Sequence, residues 1–305
     1  MKFLITISLL LISYTSNAKT SYCSYNPRVV KKIIDHTDSG DCFLLNSIIP
    51  VMEEINDFLP EHPGAVTVQI HPWLRVPGMG LDGYLYIGHK YRIQRFVIPA
   101  METRETLWAH EYAHHYFNFY MQKNLESVSQ YIALFSRGAT LSREIDELLE
   151  KDEEKFSDLI DEKEREFDLL EGKINDETIR VKSLLGPFSE LLADVVAVMF
   201  THDPSSVARA RVELGGKDDH SRDFASHNEK DIRISAHNVL DPTRRYIWEN
   251  FGGDNGMMLE NKKEFISKLM IAIKKALAEI IENKEINSIH EHSKELNNIL
   301  VSHLK

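Results

Sequence analysis

His110-Glu111-Tyr112-Ala113-His114 lies inside a stretch, Arg104 to Tyr120, that reads as a single helix. Pro99 closes the extended run before it, and Thr103 is its expected N-cap. Residues four apart project from the same helix face, so both imidazoles can reach one ion. Glu111, rotated by about 100°, approaches a water on that ion from the side. Zinc hydrolysis uses this layout. Three protein ligands leave a position for water, the ion lowers that water's pKa to about 7, and a carboxylate takes its proton as it attacks a carbonyl. Composition alone predicts about 0.06 chance occurrences of the pattern in this chain, so a third ligand has to decide the matter.

A metzincin-type third histidine is excluded, because Phe117 and Tyr120 stand where Gly and His would be needed. Glu190-Leu191-Leu192-Ala193-Asp194 is the better candidate. Its two carboxylates lie four apart on one helix face and are the only charged residues between Gly186 and Phe200. A buried carboxylate costs several kcal/mol unless it is paired or bound to a metal, roughly speaking. The simplest assignment makes Glu190 the third ligand of one Zn2+ and lets Asp194 orient a ligating histidine through its second ring nitrogen. The competing reading has Arg or Lys side chains satisfying both carboxylates.

A helix with HEYAH followed by a helix with ELLAD resembles the gluzincins, the zinc metallopeptidases with two His ligands and a downstream Glu. The E-x-x-A-D form is similar to the HtpX-type and CAAX prenyl-protease branch. That resemblance implies a zincin-like fold and peptide-bond hydrolysis with Glu111 as general base. The branch's later His and Arg segment corresponds to Ser235-Ala236-His237 through Asp241-Pro242-Thr243-Arg244-Arg245. His237, Tyr246 and Arg245 are candidates to stabilise the oxyanion, His237 first among them. His115 faces away from the metal stripe and reads as a packing or surface residue. The branch surrounds its site with membrane-spanning helices, whereas this chain puts an acidic segment between His114 and Glu190, as in a soluble, exported relative.

Apolar residues at Leu44, Ile48, Val51 and Ile55 give an earlier helix that Pro60 and Pro63 stop. Alternation at Val66, Val68 and Ile70 gives a strand. Gly83 to Ile87 and Tyr91 to Ile98 read as a hairpin around a Gly88-His89-Lys90 turn. The fold class is therefore α+β, mainly helical, with a small antiparallel sheet before the active-site helix. Substrate peptide would add as a strand along a sheet edge, with the hairpin at residues 83 to 98 as a candidate edge. Leu141 to Arg180 holds 16 acidic and 7 basic residues, a local charge of -9, with apolar residues at heptad-like steps that Asp152 and Lys163 interrupt. One unbroken helix of that length would reach about 60 Å, so a fold-back or a projecting arm is required. Gly186-Pro187 is expected to start the buried helix that carries Glu190. Residues 201 to 257 read mostly as loop with short helices. Helical spacing returns at Phe265, Leu269, Ile273, Leu277 and Ile280, and a last helix ends near Leu304. The expected parts are 1–18, 19–125, 126–185, 186–257 and 258–305.

Residues 1–18 have the form of a secretory signal peptide: Lys2, an apolar run from Phe3 to Ser13, and Ser16-Asn17-Ala18 at the cleavage site. Export to the periplasm or the exterior follows. No later run was expected to span a membrane, and Thr20-Ser21-Tyr22 ahead of Cys23 does not make a lipoprotein box. Cys23 and Cys42 are the only cysteines and are expected to pair in an oxidising compartment. The net charge of -11 argues against a sequence-independent nucleic-acid partner and leaves a peptide or protein substrate. The rival class is an exported helical interaction protein with a structural or inactive metal site and an acidic, partner-binding arm.

Overall fold

The computed structural model describes residues 26–37, 42–74, 77–92, 96–215, 222–225, 235–253, 256–289 and 291–305. The expected signal peptide at residues 1–18 and Cys23 lie outside the described residues. Cys42 is disulfide-bonded.

Val30–Asp35 (β1) exposes Lys31 and Lys32 and buries Val30 and Ile33, so one face of a short strand meets the core. Phe43–Phe58 (α1) then crosses over to Val66–Leu74 (β2), which lies parallel to β1. Gly78–Met79 (β3), Tyr84–Arg92 (β4) and Phe96–Val97 (β5) complete the sheet in the order β1-β2-β4-β3, with β5 also on β4. β2 and β4 are parallel, whereas β3 and β5 are antiparallel to β4. The sheet is thus mixed, not purely antiparallel as expected. Parallel pairing needs a crossover element, which α1 supplies between β1 and β2.

The expected turn at Gly88-His89-Lys90 is also corrected, because β4 runs straight through it. A Cβ on Gly88 would come within 3.2 Å of the Leu74 backbone N and 3.0 Å of the Lys90 carbonyl oxygen. This glycine serves a close backbone approach inside a strand and not a reversal. The reversal falls further on, between Arg92 and Phe96.

Met101–Asn124 (α2) carries the H-E-x-x-H sequence and packs against α1. Thr103 is not its N-cap, since the helix starts two residues earlier, after Ala100. Its first turn is closed instead by Glu213, whose carboxylate accepts from the Ala100 backbone N–H at 2.6 Å and from the Thr103 hydroxyl. Glu213 ends Ser206–Glu213 (α5).

Glu126–Glu171 (α3) begins one residue after α2 ends and breaks at Asp152, where the backbone is extended. The Asp152 carboxylate accepts from the Lys155 N–H at 3.1 Å, which caps the returning limb. The two limbs are tied by Arg137 to Glu166 at 2.8 Å and by Lys163 to Glu144 at 2.6 Å. The acidic segment is therefore a helical hairpin.

Asp176–Thr201 (α4) starts ten residues before Gly186-Pro187, with Asn175 accepting from the Thr178 N–H at 2.8 Å. Pro187 sits inside the helix, and the expected boundary between residues 185 and 186 falls within α4. By length and composition α4 could cross a membrane, contrary to the expectation that no later run would, yet 72% of its apolar window is buried inside the fold. It packs against α2, with Leu191, Leu192, Val195, Val196, Val198 and Met199 fully enclosed. Each such side chain contributes about 1.5–3 kcal/mol by leaving water. Asp241–Phe251 (α6), Met257–Glu260 (α7), Lys262–Glu282 (α8) and Ser293–Leu304 (α9) add their buried residues to the same core, with α8 against α1 and α4. The class is α+β, mostly helical with a small mixed sheet.

Candidate metal centre

Helical period places His110 and His114 on one face of α2, and the packing of α2 on α4 brings Glu190 opposite them. His110 Nε2 lies 3.1 Å from His114 Nε2 and 3.5 Å from Glu190 Oε2, and His114 Nε2 lies 3.7 Å from Glu190 Oε1. Ligand atoms from the three residues all fall within 4.8 Å of one another, a group able to hold a metal ion. Metal bonds of 2.0–2.1 Å in a tetrahedron put ligand atoms about 3.3 Å apart, so two imidazoles and a carboxylate at these spacings fit such an ion.

The remaining ring nitrogens are held from behind. His114 Nδ1 is 2.7 Å from Ser189 Oγ, and His110 Nδ1 is 3.1 Å from Asp194 Oδ1. Donation from Nδ1 fixes the ring orientation and, in the neutral ring, leaves the Nε2 lone pair facing inward, the tautomer a metal needs. Asp194 reaches a candidate ligand as the sequence suggested, and the competing arginine reading also holds for both carboxylates, since Arg222 Nη2 donates to Glu190 Oε2 at 3.2 Å. Arg244 donates to Asp194 Oδ2 from Nε at 2.9 Å, with Nη2 at 2.7 Å, and Arg222 donates from Nε at 3.0 Å. Both arginines are buried.

Arg222 was not among the sequence candidates. Its surroundings, between Gly215 and Ser235, carry no periodicity or motif that would mark it. Ser189 was missed too, although its place beside Glu190 puts it within reach of the same face. His237 is brought to the centre, with Nδ1 2.8 Å from Glu190 Oε2, and stays half-exposed. Tyr246 instead packs against Phe251, and Arg244, not Arg245, is the arginine that meets Asp194. His115 sits off the metal stripe, 3.3 Å from the Gly64 carbonyl oxygen.

The electrostatics separate the two histidines. Burial pulls His110 down, but hydrogen bonds to Asp194 and Glu190 outweigh it and hold the imidazole up at about 9. Burial depresses His114 to about 4. Burial alone would raise Glu190, yet hydrogen bonds to His110 and His237 keep its carboxyl well below the ordinary range. Glu111 is pushed up to about 7, chiefly by burial. The Met79 backbone N–H donates to its carboxylate, which sets Glu111 beside β3, an edge strand of the sheet. A carboxylate near 7 can both accept and return a proton at neutral pH.

Compared with protein-family models, with curated proteins and with solved structures, the chain matches none of them.

Proposed function

We propose that this chain is an exported zinc-dependent endopeptidase of zincin-like fold, with His110, His114 and Glu190 as ligands of one Zn2+ and Glu111 as general base. The observation that carries this reading is the convergence of the three ligand atoms within 4.8 Å, with Glu111 beside the sheet edge. When bound, zinc supplies a Lewis acid that lowers the pKa of water to about 7 and polarises a carbonyl.

The chain's own groups do the rest. Ser189 and Asp194 fix the imidazoles, Glu111 takes the proton of the attacking water and passes it to the leaving amine, and His237 donates to the oxyanion. His237 is held to Glu190 through Nδ1, and its Nε2 can donate when both ring nitrogens carry a proton. The peptide adds as a strand at β3, because β4 is interior, paired with β2 on one side and with β3 and β5 on the other. Within residues 83 to 98, β4 has no free edge, and Gly78–Met79 is the edge proposed for substrate. The signal peptide directs the chain to the periplasm or the exterior.

Digesting a proteome-derived peptide library with and without chelator tests the activity. Glu111→Gln should retain zinc while losing about 10² to 10⁴ in rate, and cleavage at the wild-type rate by that variant would refute the mechanism. A second reading, an interaction protein with a structural metal site, draws support from the exposed Leu149, Leu159 and Leu169 on the acidic hairpin. A zinc-loaded protein that cleaves no peptide would favour it.

A further inference from the structure

Arg222 is 5% exposed and reaches more of the centre than Asp194 alone requires. Arg244, fully buried, already meets Asp194 through two nitrogens at 2.9 and 2.7 Å. The second guanidinium also bonds Asp194, through Nε and through Nη2 to Oδ1, and reaches beyond it. Its Nη2 donates to Glu190 Oε2 at 3.2 Å and lies 3.3 Å from both ring nitrogens of His110, while Nη1 is 3.5 Å from His237 Nδ1. An in-plane approach equidistant from the two nitrogens at that range would collide with Cε1, so Nη2 lies over the imidazole face. It therefore stays packed against the ring. Buried Asp194, Arg222 and Arg244 and part-buried Glu190 form a quartet in which two carboxylates balance two guanidiniums. A divalent ion entering at His110, His114 and Glu190 would meet a fixed positive charge on two of its three ligands.

We propose that Arg222 sets how tightly the centre holds its metal: its guanidinium, packed over His110 and shared with Glu190, opposes the incoming cation and gives up Glu190 when one binds. The consequence is a centre balanced between two cations. Without metal, Arg222 keeps the buried carboxylates paired and the helices α2 and α4 together, since a buried carboxylate that loses its partner is strongly destabilising. With metal, the same charge lowers affinity, and Arg222 retains Asp194 as its anchor. This rests on the metal reading given above, and the two can fail separately.

The test compares wild type with Arg222→Met, Arg222→Gln and Arg222→Lys, each stripped by dialysis against chelator. Zinc affinity is read by competition with a chromophoric chelator, and melting temperature is read with and without zinc. Arg222→Met and Arg222→Gln should bind zinc at least about tenfold tighter than wild type, melt lower when metal-free, and gain more from saturating zinc. Arg222→Lys, which keeps the charge, should bind within about threefold of wild type. Gln retains a donor for Asp194, so it covers the case in which Met does not fold. Unchanged or weaker zinc binding by a folded neutral variant overturns the proposal and leaves Arg222 as a partner of Asp194. A wild-type protein that takes up no zinc overturns the metal reading itself.

Discussion

On α4, two carboxylates are enclosed with two arginines and an imidazole, and Asp194 is fully buried. Along α3 the carboxylates meet solvent, and a pair such as Glu166 with Arg137 is exposed on both sides. The same residue types carry different weight in the two places. Exposed pairs contribute about 0–1 kcal/mol each, whereas breaking a buried pair costs about 3–5 kcal/mol. Charge density alone would point to the arm as the functional region, but enclosure, not density, gives a carboxylate a chemical task.

The sharpest way to break this comparison is at the centre. Glu190→Ala should abolish zinc retention after dialysis against a mild chelator, and full occupancy would move the third ligand elsewhere. Asp194→Asn should weaken retention by a smaller factor, about 10 to 100. It should also destabilise the fold by about 3–5 kcal/mol, because two buried guanidiniums lose their counter-charge, as chemical denaturation would register.

Packing gives the next contrast. Leu192→Ala, in the enclosed stretch of α4, should cost about 2–5 kcal/mol. Leu169→Ala on the arm, where the side chain is 69% exposed, should stay within about 0.5 kcal/mol. Similar losses in both would mean that the arm is as tightly enclosed as the core.

A smaller effect is expected from the arm's field. Arg143 on α3 pairs with Asp82 and lies 3.8 Å over the Tyr84 ring, so the base of the hairpin is tied to the turn between β3 and β4, next to the edge assigned to substrate. Replacing residues 145 to 176 with a short Gly/Ser linker should raise the rate on acidic peptides relative to basic ones. The change should shrink as salt shortens the Debye length from about 10 Å at 0.1 M to about 3 Å at 1 M. Unchanged selectivity in a folded, zinc-loaded deletion would make the arm a spacer or a docking surface.

A further effect, confined to acid pH, lies in the sheet. Burial first, then neighbouring His36, lowers His71 from 6.5 to about 4. The unfolded chain therefore binds a proton more readily below 6.5. His71 contributes stability that is full above 6.5 and is lost as pH falls towards 4. His71→Gln should flatten the melting-temperature profile over that window, and an unaltered profile would exclude His71 as a source of the slope.

What could be read from the sequence follows from what periodicity encodes. His110, His114, Glu190 and Asp194 were legible because i and i+4 share a helix face and because carboxylates on an apolar helix need an explanation. The direction of β2 against β4 was not, since alternation fixes which residues face the core but not which way a neighbour runs. Pro187 misled because proline usually opens a helix, and here α4 runs through it. Arg222 was invisible because an isolated arginine carries no spacing. Its partners are 28 and 32 positions away on α4, and 112 away on α2.

Glu213 closes the first turn of α2 from 113 positions downstream. The arm's own ties span 29 and 19 positions. Contacts close in sequence form first, because the entropy of closing a loop grows with its length. Capping the helix that bears His110 and His114 therefore closes a longer loop, at a larger entropic cost, than either tie of the acidic hairpin, and the candidate metal face depends on α5 returning to Ala100.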